Sequence, residues 1–277
     1  MNIFKRRAIR AALAATSRHP RELIRFMLSR SFSALTFPTA YGAVVIPTNS
    51  GSIIESFLSG SYFGASTIDA FLGCGPRASR LLNIGANVGS SARMIIAAGT
   101  YHRIDCFEPD PGNFAFLQMN AALAPQISVH NAALGAMSGE LSLNLNPSSI
   151  GRHSFKTDFG TGSIAVPVRR IDDVVGANEA FDIFMDVEGW EIEVLRGASA
   201  KLRNCGLCAL EWNGQLHSPA ERQAMAEILL AAGFDTAADL KDPEAACAIA
   251  DLPHYDTQRD LVFTRSGEKR LDPLIAV

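Results

Sequence analysis

Apolar and polar positions along the chain follow two periods, which predicts strands alternating with helices. The apolar run 81–84 is typical of a buried strand, and the segment 90–98 that follows it has helical spacing. The same order recurs from about residue 80 to residue 240. This pattern indicates an α/β fold with a mostly parallel sheet and helices on both of its faces.

Five further apolar runs predict the other strands of this sheet, and three periodic segments predict its other helices. The strands are placed at 103–108, 126–134, 181–186, 206–213 and 260–265. The helices are placed at 113–123, 187–197 and 218–233. Ser218 and Glu221 have the spacing of a capping box, which marks the start of the last helix. Period-two alternation over 140–147 and 163–172 predicts an antiparallel excursion joined by a glycine- and serine-rich loop.

The composition of the 277-residue chain is that of a globular protein. With 48% hydrophobic and 19% charged residues it can bury a full core, in one large domain or two small ones. No apolar run is long enough to cross a bilayer and no secretory leader pattern is present, so we expect a cytoplasmic protein. The five cysteines favour reduced thiols, and the pair Cys205 and Cys208 lacks the further ligands that a zinc site requires.

Positive charge is concentrated at the N-terminus. Residues 1–30 contain eight Lys and Arg residues and one acidic residue, and apolar positions after Arg21 have the spacing of an amphipathic helix. We therefore divide the chain into a basic helical extension, 1–40, and a main domain, 41–277. The extension either packs on the domain with a solvated face or contacts a partner or an anionic membrane from the cytoplasmic side. The remainder of the chain is acidic, so we expect no nucleic-acid partner.

The segment "LLNIGANVGSS" carries the first candidate for ligand binding. Gly85, Asn87 and Gly89 follow a strand and precede a helix, and we expect the two glycines to make room for a ligand. The next strand ends at Glu108, where an acidic residue can accept hydrogen bonds from both hydroxyls of a ribose. Asn87 stands where a dinucleotide site normally needs a glycine. A nucleoside cofactor without a pyrophosphate, such as S-adenosylmethionine, fits this pattern better than NAD.

Six segments in order resemble the FkbM family of S-adenosylmethionine-dependent methyltransferases. They are "LLNIGANVGSS", "CFEPDPGNFAFLQMN", "NAALGAMSGELSL", "VPVRRIDDV", "DIFMDVEGWEIEVLRGA" and "ALEWN". The resemblance covers about residues 40 to 265 and implies a Rossmann-like class I methyltransferase fold with a seven-stranded sheet. It implies methyl transfer from S-adenosyl-L-methionine. The cofactor-binding residues that it implies are Asn83, Gly85, Asn87, Gly89, Glu108, Pro109, Asn131 and Ala132.

Two positions depart from the family pattern. Asn83 stands where an acidic residue is usual, which removes a negative charge near the ammonium group of the cofactor. Phe184 stands where a lysine is common in the strand before "DVEG". These changes motivate one alternative, a catalytically silent relative that binds the cofactor or a partner.

Acidic and histidine side chains near the expected ligand edge are candidates for catalysis, because a hydroxyl acceptor must lose a proton. Asp186 and Glu188 are the first candidates; in an extended chain they point to opposite sides, and the alternative is that they cap the next helix. Glu211 ends another strand, and His153 and His217 lie in loops near the edge. Carboxylates alone have no diagnostic spacing, so no metal site is predicted.

The leading interpretation is O-methylation of a hydroxyl on a carbohydrate, glycolipid or secondary metabolite, with a small-molecule or glycan acceptor as partner. N-methylation of an amine on a similar acceptor remains an alternative. The sequence does not distinguish between these acceptors.

Overall fold

A computed structural model describes the backbone of residues 31–267 and, apart from residues 243–245, their side chains. The central feature is an eight-stranded sheet with the order β12-β11-β13-β10-β9-β3-β4-β5. Its strands are β3 (Arg80–Ile84), β4 (Arg103–Phe107), β5 (Ile127–His130), β9 (Phe181–Met185), β10 (Cys205–Asn213), β11 (Thr236–Asp239), β12 (Asp242–Ala248) and β13 (Gln258–Thr264).

The sheet is mostly parallel and doubly wound, as the sequence predicts. Strands β3, β4, β5, β9 and β10 are parallel, whereas β13 runs antiparallel to β10. The chain builds outward from β3 through β4 to β5, then crosses to β9 on the other side of β3. The order therefore reverses between β3 and β9. In folds of this kind, ligands bind beyond the carboxyl ends of the strands at such a switch point.

The prediction of seven strands is wrong, because the main sheet has eight and the additional strand lies at its edge. Residues 242–248 form β12, which pairs antiparallel with β11 after a tight turn. The segment "DPEAACA" has little β-propensity, and proline is tolerated on an edge strand because its missing N–H is not needed there. Pairing with β11, rather than a local pattern, therefore specifies this strand.

Helices cover both faces of the sheet. They are α1 (Ser52–Leu58), α2 (Ala65–Gly73), α3 (Ser90–Ala97), α4 (Pro111–Ala121), α5 (Ile171–Val174), α6 (Glu191–Arg196) and α7 (Pro219–Ala231). Leu82 packs in a core with residues of α6 and α7, whereas its neighbour Leu81 packs in a second core with residues of α3 and α4. Successive side chains of a strand point to opposite faces, so the unbroken apolar run in β3 supplies both cores. The capping box of Ser218 and Glu221 is present at α7.

A hairpin of β1 (Ala34–Thr39) and β2 (Gly42–Pro47) precedes the sheet. Residues 34–39, which the sequence division placed in a helical extension, are therefore a strand. The hairpin packs on α1 in a small apolar core. Asn120 of α4 anchors it, since its side chain accepts from Val45 N at 2.7 Å and donates to Val45 O at 2.9 Å. The predicted helix after Arg21 lies outside the described residues.

The predicted antiparallel excursion is confirmed as β7 (Gly139–Asn144) paired with β8 (Ser163–Arg169), and β8 also pairs with β6 (Ala133–Leu134). The loop between β7 and β8 crosses the carboxyl edge of the main sheet. The carbonyl of Ile150 in this loop accepts from Asn87 Nδ2 at 3.2 Å and from Asn113 Nδ2 at 2.8 Å. Within residues 31–267, no helix has the length and apolarity needed to span a bilayer.

Candidate functional site

The two glycines after β3 are required by the protein itself. A Cβ on Gly85 would lie 1.8 Å from the carbonyl oxygen of Asp186, and one on Gly89 would lie 2.7 Å from Leu117 Cδ1. Both residues also have positive φ angles, 78° and 83°. These close approaches explain both glycines within the fold, and the expectation that they make room for a ligand stays a prediction. They allow the turn to approach the end of β9 and the side of α4.

The backbone N–H groups of the glycine loop all have acceptors within the chain. Gly85 N and Ala86 N donate to the carbonyl of Phe107, each at 3.0 Å, and Gly89 N donates to Ala86 O. Asn87 N donates to the carboxylate of Glu108 at 2.9 Å, and Val88 N donates to the Asn87 side chain. No N–H group of residues 85–89 is directed at a phosphate. A pyrophosphate-binding role, which needs such donors, does not fit this loop.

Glu108 lies just after β4 and faces the loop. Glu108 is 5% exposed, and its carboxylate accepts hydrogen bonds from Asn87 N at 2.9 Å and from Asp110 N at 3.0 Å. Asn113 Nδ2 makes a longer contact of 3.5 Å. Burial raises the pKa of Glu108 to about 7, although these hydrogen bonds oppose the shift. A carboxylate has about four acceptor positions, so Glu108 can still accept from a ligand hydroxyl.

A narrow cavity of about 60 Å³ opens beside Glu108 at the end of β4. Its walls are mainly apolar and aromatic, and they include Phe107, Pro109, Ala133, Leu134, Phe155 and Trp190. Phe155 and Trp190 pack against each other with ring centroids 4.8 Å apart. The cavity thus combines a buried acid with flat apolar walls. These walls are of the kind that contact a nucleoside, but the volume is below the roughly 300 Å³ at which ordinary ligand sites begin, so the narrow cavity encloses only part of one.

Asn131 and Ala132, which the resemblance places at the cofactor, lie just before that wall. Asn131 Nδ2 donates to the carbonyls of Glu108 and Pro109 at 2.9 and 3.0 Å, and Ala132 is buried. The residues that line the cavity directly are the next two, Ala133 and Leu134. Asn131 therefore fixes the position of the β4 end.

A second cavity of about 340 Å³ lies on the other side of the glycine loop. Asn83, 1% exposed, contributes to its lining and donates to Ser91 Oγ at 3.0 Å. Phe184 also lines it and packs on Phe71 with ring centroids 5.1 Å apart. Gly85, Asn87, Gly151, Asp186 and Glu188 border both cavities. The two spaces therefore meet at the switch point between β3 and β9.

Asp186 and Glu188 border both cavities, so the expectation that they face opposite sides is wrong. The reason is that Glu188 has a φ of 51° and leaves the extended conformation. Neither residue caps α6. Instead, Glu191 Oε1 accepts from Val187 N at 3.4 Å and from Gly189 N at 3.3 Å, which stabilises the turn.

The acidic groups of this edge have raised pKa values. Asp186 is exposed at the lining of the cavities but has many protein atoms around it. The resulting desolvation and the nearby carboxylates, Glu211 first, raise its pKa well above the ordinary value. Burial and Glu211 raise the pKa of Glu188 to about 7. Burial, Glu191 and Asp260 raise the pKa of Glu211. A carboxylate with a pKa near neutrality is suited to accept a proton at physiological pH.

The two candidate histidines occupy different environments. His153 lines the narrow cavity, where its Nδ1 accepts from Asn146 N at 2.9 Å and burial lowers its pKa. The neutral ring then carries its proton on Nε2, so this nitrogen is arranged to donate a hydrogen bond rather than to act as a base. His217 is buried and contacts Glu191 Oε2 through Nε2 at 2.8 Å and Lys156 Nζ through Nδ1 at 3.3 Å. His217 thus supports Glu191 behind the turn.

Sequence reasoning missed four residues that shape the site. Asp260 reaches the larger cavity because the antiparallel register places it opposite Glu211. Lys241 lies in the turn between β11 and β12, which the sequence analysis did not predict, and this turn brings it to the same cavity. Asn113, beside Glu108, and Arg152, beside Glu188, lie next to predicted residues, but only Asn113 had a local signal, its position three residues after the helix-capping Asp110. Within the described range, no group of three His, Cys, Asp or Glu side chains is arranged to hold a metal ion.

Comparison with known proteins identifies relatives of this chain. Hexuronic acid methyltransferase AglP of Haloferax volcanii is 27% identical over 161 residues, 56% of this chain and 63% of that protein. 2-O-methyltransferase NoeI of Sinorhizobium fredii is 26% identical over 156 residues, 49% of this chain and 63% of that protein. The match thus spans slightly less than two thirds of each relative.

A solved structure, methyltransferase FkbM of Methylobacillus flagellatus, aligns over 68% of this chain and 44% of its own with 20% identity and a TM-score of 0.44. The model of the methyltransferase FkbM domain matches residues 83–235, which include the glycine loop, Glu108, Asp186 and Glu188. This match covers more than half of the chain. The chain belongs to the FkbM methyltransferase family.

Proposed function

We propose that the protein transfers a methyl group from S-adenosylmethionine to a hydroxyl of a carbohydrate or a related polyhydroxylated acceptor. The observation that carries this proposal is the arrangement around the glycine loop. Glu108 has acceptor positions left for a ribose, while every N–H group of residues 85–89 has a partner inside the chain. These features fit a nucleoside without phosphates. The two relatives named above are a hexuronic acid methyltransferase and a 2-O-methyltransferase, which supports a sugar hydroxyl as the acceptor.

The residues would divide the work between the two cavities. Glu108 and the apolar walls of the narrow cavity, including Pro109 and Leu134, would contact the nucleoside, of which a space of about 60 Å³ encloses only part. The larger cavity, bordered by Asp186 and Glu188, would hold the acceptor. When bound, S-adenosylmethionine supplies an electrophilic methyl group on a sulfonium.

Glu188 is placed to remove the proton that the acceptor hydroxyl loses as its oxygen bonds to the methyl carbon. Its pKa of about 7 leaves a large ionised fraction at neutral pH and makes it a stronger base than an exposed glutamate. Asp186 lies at the meeting point of the cavities, where a hydrogen bond to the hydroxyl would orient it. Because the transfer needs nucleophile, methyl carbon and sulfur in line, this positioning is a major part of catalysis.

The proposal is tested by binding and by transfer. S-adenosylhomocysteine titrated into the full-length protein should give saturable heat in calorimetry, whereas NAD should give none. Tritiated S-adenosylmethionine with a panel of glycosides should give labelled product whose methyl group lies on oxygen. A methyl group on nitrogen would replace this proposal by the amine alternative, and saturable NAD binding would contradict the assignment of the cofactor.

A further inference from the structure

The charged residues that line the larger cavity are unequal in number. Four carboxylates face it, and they are accompanied by two cationic side chains. The residues are Asp186, Glu188, Glu211, Asp260, Arg152 and Lys241. The lining therefore has an excess of negative charge when all of these groups are ionised.

Both cations are already engaged with carboxylates of the same lining. Lys241 Nζ lies 2.6 Å from Asp260 Oδ2, and Thr67 Oγ1 donates to the same oxygen at 3.3 Å. Arg152 Nε lies 3.9 Å from Glu188 Oε1 at the mouth of the cavity. In the part of the chain that the structure describes, no basic side chain forms an ion pair with Asp186 or Glu211. Asp186 and Glu211 are thus the acids of this lining that lack a cationic partner, which agrees with the raised pKa of each.

Asp186 and Glu211 present their carboxyl groups to the cavity differently. Gln258 Nε2 donates to Glu211 Oε1, and Glu211 Oε2 is enclosed by protein, so a ligand does not reach that oxygen. Asp186 is exposed at the lining, where a ligand that supplies an N–H or O–H group is favoured. A second anion in the same space is disfavoured, because like charges in an interface oppose binding.

We infer that the acceptor presents hydrogen-bond donors and no negative charge to this cavity: it is a neutral or amine-bearing sugar unit rather than a uronic acid or a phosphorylated sugar. This inference rests on the proposed function, since it concerns the acceptor of the same transfer. A cofactor with a single net positive charge offsets only part of the negative excess. The cavity volume of about 340 Å³ is in the range of small-molecule sites, and the methionine part of the cofactor, expected beside Asn83, would share this space with the acceptor.

The test uses four p-nitrophenyl glycosides that differ in charge: a glucoside, a glucosaminide, a glucuronide and the methyl ester of that glucuronide. Initial rates with tritiated S-adenosylmethionine give kcat/KM for each, and saturation-transfer NMR on the protein loaded with S-adenosylhomocysteine gives binding. The ester and the glucuronide form the matched pair, because they differ in one negative charge at the same carbon. We expect the ester to exceed the glucuronide by at least about tenfold in kcat/KM.

A variant locates the source of this selectivity. Glu211→Gln removes one negative charge and should narrow the difference between ester and glucuronide, whereas Glu140→Gln, on the exposed part of β7, should leave it unchanged. A glucuronide that reacts as well as its ester, or a difference that Glu211→Gln does not alter, would overturn the inference while leaving carbohydrate methylation in place. Failure of all four glycosides to bind or react, with normal S-adenosylhomocysteine binding, would contradict the proposed carbohydrate acceptor and the inference with it.

Discussion

Strands β4 and β9 each contain one acidic residue, and each is followed by another acidic residue just beyond its carboxyl end. The acids within the strands and the acids beyond them have different hydrogen-bond and ion-pair partners. Asp105, inside β4, contacts Arg80 and Arg103 at 2.8 Å each and His130 at 3.1 Å. Burial acts to raise the pKa of Asp105, but hydrogen bonds from His130, Arg103 and Arg80 outweigh it and lower the pKa to about 2. Its charge is therefore matched within the fold.

Asp182, at the start of β9, is also fully partnered. It accepts from Arg77 N at 2.8 Å, Ala78 N at 3.2 Å, Leu207 N at 2.9 Å and Tyr101 OH at 3.0 Å. These bonds join β9 to β10 and to the segment before β3. Burial raises the pKa of Asp182 to about 6 in spite of these bonds, so a raised pKa does not by itself distinguish a site from a structural acid.

The acids beyond the carboxyl ends are not explained in this way. Glu108 retains acceptor capacity, and Asp186 and Glu188 lie among other carboxylates with raised pKa values. The difference teaches that burial alone does not identify a site. The informative observation is an acid with a raised pKa that also lines a cavity, as Glu108, Asp186 and Glu188 do and Asp182 does not.

The largest expected effect is a loss of stability when a side chain is added to Gly85, at the carboxyl edge of the sheet. Gly85→Ala should destabilise the protein by several kcal/mol, since its Cβ would collide with the carbonyl oxygen of Asp186. Gly99→Ala is the matched control, because Gly99 has a similar φ of 70° with nothing within 4 Å of its Cβ position. It should cost only about 1–2 kcal/mol. Chemical denaturation would measure the free energy of unfolding of both variants. Equal losses of stability would show that the contact with the Asp186 carbonyl adds nothing to the cost of the positive φ angle.

The second effect concerns the structural acid. Asp105→Asn removes one of the two carboxylate partners of the buried Arg80, the other being Glu179, and should lower the free energy of unfolding by about 1.5–3 kcal/mol, the scale of a hydrogen bond to a charged group. The wild-type contribution is present above about pH 4 and is lost as the pH falls through the folded pKa of about 2. Affinity for S-adenosylhomocysteine below the melting transition should be unchanged. If Asp105→Asn lost affinity for S-adenosylhomocysteine without losing stability, Asp105 could not be a structural acid in contrast to the ligand-binding Glu108.

The third effect belongs to the catalytic side of the comparison. Glu188→Gln should lower kcat by about 100-fold, the scale of a positioned base, while S-adenosylhomocysteine affinity changes by no more than a few-fold. Asp186→Asn should lower turnover in the same direction. His217→Ala, behind the turn, tests support through Glu191 and should affect stability as well as turnover. Unchanged turnover in Glu188→Gln would exclude it as the base.

Much of the sheet could be predicted because its information is local. The apolar runs of β3, β4 and β9 fix parallel strands that end at one edge, so Gly85, Glu108 and Asp186 could be placed together from sequence. Pairing between distant segments, in contrast, specifies β12 and the position of Asp260.

The orientation of Glu188 could not be predicted for a related reason. A positive φ at a glutamate is unfavourable by itself and persists here because Glu191 accepts two N–H groups of the turn and is held by His217. The structural reason for the glycines could not be predicted, because the atoms that a Cβ there would meet, Asp186 O and Leu117 Cδ1, belong to distant parts of the chain. The sequence pattern indicates a close approach but not which group approaches.

The most direct test of the central claim, that Glu108 binds a ribose through its ionised carboxylate, is S-adenosylhomocysteine calorimetry between pH 5.5 and 8.5. A protonated carboxyl group has fewer acceptor positions, so affinity should fall below the Glu108 pKa of about 7, by up to about tenfold per pH unit, and level off above it. Glu108→Gln is expected to bind about 10- to 150-fold more weakly at pH 8, the loss of one or more charge-assisted hydrogen bonds, with no such pH dependence. The same affinity and the same pH profile in both proteins would contradict the account.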